Sequence, residues 1–362
     1  MYNRGPGNTT IKDVAALAGV SIGTVSRVIH NKGYISEPTR QKVLEAITET
    51  QFIPNINAQT ASEHQAPVVG VIVPEITNPF LSYLVSYIEK YLNLENYSVM
   101  LCNNLYSAEK TKKFIDRLLQ YRVRGLFMIA TKLDDRDYLE MIREKLSIVC
   151  INTIMEKVDC INCADWQTTF ELTEHLISLG HRDIAYMGFN HTSPPTLERL
   201  RGFQDAMMKH HLPIREEYLQ GTDVTMRPIQ SLRDGNHAPA NVLASRLLDL
   251  PNPPTAIMAI NDYYALGIYT ECHKRGLQVG RDISVAGYDD IPLTEIMTPP
   301  VTSVHCDVDS MAYIATSTLV DRIKSKEHQQ LDSRNILVPG SLRLRASTAS
   351  PVTARHRIYP DR

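Results

Sequence analysis

The chain has 362 residues, with 38 Lys and Arg against 40 Asp and Glu and a net charge of -2, a balance that argues against a histone-like polycation. Its 43% hydrophobic content supports sizeable cores in two or three domains and excludes disordered and collagen-like classes. No run approaches the roughly 18 apolar residues of a membrane span, so the sequence reads as a soluble, leaderless, cytoplasmic protein.

From Thr9 to about Phe52 the pattern is one of short helices. Ile11, Val14, Leu17 and Ala18 sit at helical spacing, Gly19 interrupts them, and Val20, Val25, Val28 and Ile29 resume the pattern around Ser21, a good N-cap. Ser36 and Pro38 predict the start of a third helix whose buried face is Val43, Leu44 and Ile47. The polar stretch PNINAQTASEHQAP that follows reads as a linker.

Beyond it, short apolar β-branched runs alternate with amphipathic helices. The expected strands are 68–73, 99–102, 126–130, 148–151, 184–187, 256–260 and 283–286. The expected helices are 80–94, 109–121, 169–179, 200–211, 262–275 and 308–324. Such alternation implies an α/β fold with one or two doubly wound parallel sheets. The tail after Ala346 is polar and lacks apolar heptads, so poor order and assembly no larger than a dimer are expected. The domain division is thus a headpiece over 1–52, a hinge over 53–66, a core over 67–345 and a flexible tail over 346–362.

The six cysteines read as reduced small hydrophobes. Cys160 and Cys163 have suggestive spacing, but zinc would require a second ligand pair, so neither metal nor cofactor is expected.

A helix-turn-helix places a small residue in its turn and points the first turn of its second helix at base edges in the major groove. Asp13 to Val20 followed by Ser21 to Arg27 supplies that arrangement. With Val25 and Val28 facing inward, Ser21, Ile22, Gly23, Ser26 and Arg27 fall on the exposed side. Arg27 can fork to guanine O6 and N7, Ile22 can meet a thymine methyl, and Gly23 permits close approach. The electrostatic footprint is weak, since the first 66 residues carry a surplus of one positive charge.

The strings TIKDVAALAGVSIGTVSRVI, TRQKVLEAI, IPN, NPF, HLISLGHRDIAYMG, ERLRGF, PPTAIMAINDYYALG, GRDISVAGYDD and PPVTSVHCD occur in order along nearly the whole chain. In these the sequence resembles the lactose/galactose repressor (LacI/GalR) family of bacterial transcription regulators. The resemblance implies a homodimeric repressor, with a helix-turn-helix headpiece and a two-lobed core like that of periplasmic sugar-binding proteins. Its partners would be double-stranded operator DNA and a small carbohydrate-like effector.

By the same resemblance, Thr10, Ser21 and Thr39 match phosphate-contacting hydroxyls, and Ile22, Gly23 and Arg27 match base-reading positions. Thr24 and Ser26 complete the DNA-facing set of the second helix, and Asn55, Ala58 and Ala61 that of the hinge. Ala61 is a departure, because the family usually carries a leucine there that wedges into a minor-groove step. Asp223 is another, standing where an aromatic residue is common; 224–236 reads as a long loop at the cleft mouth.

Phe80, Asp165, Arg199, Asn261, Asp262 and Asp289 match effector-contacting positions. Phe80 could equally be core or dimer interface; Arg199 and Asp289 are safer, the alternative being an Arg–Asp pair that only holds the lobes together. The 164–167 segment reads as a loop in which Trp166, the only tryptophan, stacks on the ligand or seals the loop. Two other classes compete: a sugar receptor without a DNA role, and a glycosidase using Asp262 and Asp289. The helix-turn-helix opposes the first, and the absence of hydrolase motifs opposes the second.

Overall fold

The computed structural model describes residues 9–29, 33–52, 67–131, 133–188, 193–221, 238–325 and 333–351. The chain forms two compact units, one up to Ala66 and one from Pro67 onward.

The first unit contains α1 (Ile11–Ala18), α2 (Ile22–Ile29) and α3 (Glu37–Thr50). Helix α1 begins at Thr10, whose backbone N–H and hydroxyl both donate to Asp13 Oδ2, at 2.8 and 2.7 Å. It ends at Gly19, whose φ of 66° is the left-handed conformation that glycine adopts without a Cβ clash. Ser21 caps α2 by accepting from the Thr24 N–H at 3.1 Å. The Ser36 hydroxyl instead pairs with that of Thr39 at 2.8 Å, and makes no cap to the backbone of α3.

Val14, Val25, Val28, Val43 and Ala46 close the small core of this unit. Leu17 and Leu44, expected on buried faces, are 48% and 46% exposed. Leu44 lies about 100° around its helix from buried Val43 and Leu17 about 200° from buried Ala15, and the small residues Ala15 and Ala46 face inward instead.

The second unit opens with β1 (Val68–Val73), α4 (Pro79–Leu94), β2 (Ser98–Asn103), α5 (Ala108–Gln120), β3 (Gly125–Ile129) and α6 (Arg136–Arg143). It continues with β4 (Ser147–Ile151), β5 (Asp159–Cys163), α7 (Asp165–Ser178), β6 (Ile184–Met187), α8 (Pro194–Lys209), β7 (Leu219–Gln220) and α9 (Ala238–Leu248). It closes with β8 (Ala256–Ala259), α10 (Asp262–Lys274), β9 (Ser284–Asp289), α11 (Leu293–Ile296), β10 (Thr302–Cys306), α12 (Val308–Ser325), β11 (Asn335–Val338) and β12 (Gly340–Arg343).

Two six-stranded sheets result. Lobe 1 has the order β2-β1-β3-β4-β5-β11, all parallel. Lobe 2 has the order β7-β6-β8-β9-β10-β12, parallel except for β12. Single residues carry the chain between sheets: Ala164 after β5, Asp307 after β10 and Pro339 after β11. Three such crossovers leave one cleft, at the carboxyl ends of both sets of strands, where open parallel sheets bind ligands. No helix among the described residues is long and apolar enough to cross a membrane.

All seven expected strands are present, but β5, β7, β10, β11 and β12 were not read from the sequence. Cys160 and Cys163 lie on β5, and three residues along an extended strand send them to opposite faces and different apolar clusters. The 164–167 segment is not a loop, since α7 begins at Asp165.

The expectation of a poorly ordered tail fails for 347–351. Ser347 is fully buried and bridges the starts of β9 and β10. Its hydroxyl accepts from Thr302 N at 2.7 Å and its carbonyl from Val285 N at 2.9 Å. The Ala349 carbonyl accepts from Ser284 Oγ at 3.0 Å and from His181 Nε2 at 2.9 Å. The segment is held by hydrogen bonds, which apolar patterning does not register. The remainder of the tail, from 352, lies outside the described residues.

Ending the chain at Ala346 strands two buried N–H donors, each costing about 1–3 kcal/mol. The expected result is a melting temperature lower by on the order of 10 °C. Ending it at Pro351 keeps these bonds, and thermal melts of the two truncations compare them directly.

Candidate functional site

The recognition face comes first in the chain. In α2 the side chains of Val25 and Val28 are buried, which leaves Ser21, Ile22, Gly23 and Arg27 exposed and Thr24 and Ser26 half-buried. Arg27 Nε rests on the Gly23 carbonyl at 3.3 Å, a weak tether that leaves the guanidinium available at the surface. The Ser21 hydroxyl pairs with that of Thr24 at 2.9 Å, and Thr39 with Ser36 at 2.8 Å. Such hydroxyl pairs can rotate a proton outward to a phosphate oxygen. Thr10 differs, since its hydroxyl proton is already given to Asp13. Asn55, Ala58 and Ala61 lie outside the described residues, as do Asp223 and 224–236.

The second site is the cleft. A cavity of about 80 Å3 there is lined from lobe 1 by Phe80, Tyr106, Ala130 and Asn152, and from lobe 2 by Ser193, Thr196, Arg199, Ile260, Asn261 and Asp289. Phe80 is buried in the cavity wall and also belongs to the main apolar cluster. It is set there by Asn78, whose Oδ1 accepts from Phe80 N at 3.0 Å and Leu81 N at 3.4 Å, with Pro79 in the first turn of α4. Asn261 caps α10 in the same way, through Tyr264 N at 2.9 Å.

Arg199 forms the floor. Its Nε donates to Asp165 Oδ1 at 2.7 Å and its Nη1 to the Ile260 carbonyl at 2.7 Å. Its Nη2 lies 3.5 Å from Asp289 Oδ1, and its Cζ stacks 3.5 Å from the ring centre of Tyr288. All of these partners belong to lobe 2, so the Arg–Asp pair does not bridge the lobes. Asp165 sits behind Arg199 and orients it, and burial raises its pKa against the pull of the guanidinium. Burial likewise pushes Asp289 up to about 7, with Arg199 opposing and Asp165 reinforcing.

Two expected ligand contacts are placed elsewhere. Asp262 turns into lobe 2, where its Oδ1 accepts from Ser303 Oγ at 2.7 Å and its Oδ2 from Ile291 N at 2.9 Å. It braces the loop after β9, and a side chain at Gly287 would collide with it. Trp166 points out of the cleft: it is 38% exposed, donates from Nε1 to Asp205 at 2.8 Å and stacks on Phe170.

Asn152, Tyr106, Ser193 and Thr196 are lining residues that sequence reasoning missed. Asn152 Oδ1 is buried in the cleft wall without a hydrogen-bond partner among the described residues, which a polar ligand group would satisfy. Its position directly after the predicted strand 148–151 was the available signal. Tyr106, Ala130, Asn152 and Asp289 all have positive φ, at 57°, 45°, 52° and 102°. Strained non-glycine backbone of this kind concentrates at binding sites.

The Asp289 carboxyl gives a pH signature. In the unfolded chain its pKa is about 3.9, so between there and about 7 the folded state holds a proton that the unfolded state releases. Its contribution is complete below that lower value and is lost as pH rises through about 7. The expected result is that the stability difference between the natural protein and Asp289→Asn shifts in favour of the variant from pH 4.5 to 7.5. Urea titrations at four pH values measure the slope, which is insensitive to any constant offset.

A helix-turn-helix unit joined to a two-lobed, ligand-accepting core defines a transcription regulator, and the comparisons agree. The description "Bacterial regulatory proteins, lacI family" matches residues 10–55, and a periplasmic binding protein-like domain matches 173–348. The chain is 31% identical to the HTH-type transcriptional repressor PurR of Vibrio parahaemolyticus over 329 residues, 89% of this chain and 94% of that protein. It is also 31% identical to the regulator DegA of Bacillus subtilis over 347 residues, 94% and 98% of the two chains.

Among solved structures, the Lac repressor dimer bound to operator and an anti-inducer superimposes with a TM-score of 0.79 at 27% identity, covering 94% of this chain and 99% of that one. The regulator CelR in complex with cellobiose gives 0.65 at 26% identity, with 94% and 100% coverage. The protein belongs to the LacI family of bacterial regulatory proteins. It is a transcription regulator, and neither an enzyme nor a receptor without a DNA role.

Proposed function

We propose that this chain is a cytoplasmic homodimeric repressor that reads an inverted-repeat operator with Ile22, Gly23, Ser26 and Arg27, holds its backbone with Thr10, Ser21 and Thr39, and couples operator affinity to an effector in the inter-lobe cleft. The observation that carries this is the presence in one chain of an outward-facing recognition helix and a cleft whose polar groups await a partner. The effector is neutral, because the donors of Arg199 are committed to Asp165, Ile260 and Asp289 and offer little to an anion. The other polar groups of the cleft wall, Asn152, Ser193, Thr196 and Asn261, are short and uncharged, which suits sugar hydroxyls. Closure of the lobes on such a ligand would shift the relative placement of the two headpieces, with reciprocal effects on both affinities.

Selection of duplexes from a random pool, repeated with sugars and nucleosides, tests the reading. An inverted repeat whose recovery changes with a ligand supports it, and no enrichment under any condition refutes it. Ala61 adds an expectation about the bound DNA. A methyl group is too short to unstack a base step as leucine does, so circular-permutation assays should show weaker bending than a leucine-bearing Ala61→Leu variant.

A further inference from the structure

The two cysteines of β5 each find a different sulfur partner in the fold. Cys160 stands beside Cys150 of β4, within the lobe 1 sheet. Cys163 ends β5 immediately before the Ala164 crossover, and its thiol donates to Met311 Sδ at 3.4 Å. Met311 lies in the first turn of α12, just past the Asp307 crossover, and Cys306 ends β10 just before it. Cys306 hydrogen-bonds to Cys163, and that bond together with burial pushes its thiol well above the usual range. One thiol from each sheet and one thioether are thus gathered at two of the three crossovers, none of them more than 4% exposed.

We propose that Cys163, Cys306 and Met311 form a site for one copper(I) ion, whose binding ties the carboxyl ends of β5 and β10 together across the lobes. Zinc is unsuited, because it takes four ligands and among the described residues no three His, Cys, Asp or Glu side chains are placed to hold a metal ion. Thiolate and thioether sulfur are the donors that soft copper(I) selects, and three of them complete its shell. With metal–sulfur bonds of about 2.3 Å, sulfurs in a trigonal shell stand about 4 Å apart, so the 3.4 Å contact has to widen by roughly half an ångström. Binding displaces the two thiol protons to solvent, changes no oxidation state and leaves one net negative charge on the cluster. Of the charged groups near Cys306, Asp289 opposes that charge and Arg199 offsets it. The site is separate from the effector cavity and uses none of its lining residues.

The test is a titration of the reduced full chain with copper(I) under nitrogen, in competition with the coloured chelator bicinchoninate. The chain is expected to take one ion from the chelator and to melt at a higher temperature once loaded, because the ion binds only the folded hinge. Cys163→Ala and Cys306→Ala should each abolish the uptake, and circular dichroism of the metal-free variants checks that they fold. Met311→Leu, which replaces the thioether with an apolar group of similar volume, should weaken binding by about tenfold. Cys150→Ala, in the neighbouring sulfur pair, should leave it unchanged. X-ray absorption by copper in the natural protein, loaded with one equivalent, needs no variant and should show a first shell of sulfur alone.

If the chain takes no copper(I) from the chelator, or the copper shell contains nitrogen or oxygen, the proposal is overturned. Uptake that survives Cys163→Ala and is lost in Cys150→Ala overturns it as well, and moves the ion to the β4–β5 pair. Operator binding requires no metal, so none of these outcomes bears on the reading of the chain as a regulator.

Discussion

Replacing Arg199 with methionine is expected to destabilise the core unit by about 3–5 kcal/mol at neutral pH and to abolish the response to effector. The guanidinium satisfies Asp165, the Ile260 carbonyl and Asp289 at once, and lies on the face of Tyr288. Methionine restores the volume but leaves two buried acids and a buried carbonyl without their donor. A unit of this size should lose on the order of 10 °C in melting temperature.

The deficit has a pH dependence of known sign. Without the cation, burial raises the pKa values of Asp165 and Asp289 further, and both acids accept protons more readily in the folded state. Folding of the variant therefore gains from acidification, and its gap from the natural protein narrows as pH falls from 7.5 toward 5. Arg199→Lys is not a rescue, because an ammonium cannot reach three acceptors in a plane and stack on Tyr288 together. Thermal melts at both pH values, with calorimetry for effector, give the answer. A variant as stable as the natural protein, and still responsive, would show that the cluster is dispensable.

The same cluster explains which parts of the site could be read from sequence. Arg199, Asp165 and Asp289 are visible because a lone charge beside an apolar strand demands a partner, whichever way the chain folds. Asn152 and Tyr106 carry no charge and no family string, and are recognisable only once β4 and β2 place their carboxyl ends at the cleft. Asn261 and Asp262 are adjacent and were read as one unit, yet α10 turns successive side chains about 100° apart. The first caps the helix at the cleft wall, while the second is buried behind it. Trp166, read as either stacking on the ligand or sealing its segment, is turned by α7 so that the indole points away from the floor that its neighbour Asp165 supports.

The fold shows a similar division. Purely apolar runs such as 68–73 and 126–129 announce strands buried on both faces. The strands DCINC and TSVHC mix polar with apolar residues because the carboxylate and hydroxyl of their first residues bind other segments. Asp159 pairs with Arg322 of α12 through both oxygens, at 2.8 and 3.0 Å, and Thr302 accepts from Arg345 N at 2.9 Å. Hydrophobic periodicity cannot report a strand whose role is to bond across chain segments, and the buried tail at Ser347 escaped detection on the same account.

At the other end of the chain, Arg27→Ala is expected to weaken binding to the selected operator by about 30-fold to 20,000-fold, a loss of roughly 1–3 kcal/mol at each of two half-sites in a dimer. The size of the effect follows from geometry. Ile22 offers only an apolar contact and Gly23 has no side chain, so Arg27 carries most of the hydrogen-bonding capacity of the exposed face of α2. The distinguishing feature is selectivity more than strength. Loss of a base-reading fork should flatten discrimination at one base pair of each half-site, whereas Ser21→Ala, which removes a phosphate-facing hydroxyl, should weaken every duplex alike. Anisotropy titrations on the selected site and its single-pair variants, at one fixed salt concentration, separate the two. Uniform weakening by Arg27→Ala across all duplexes would reassign that residue to the DNA backbone and leave base reading to Ile22, Ser26 and the hinge.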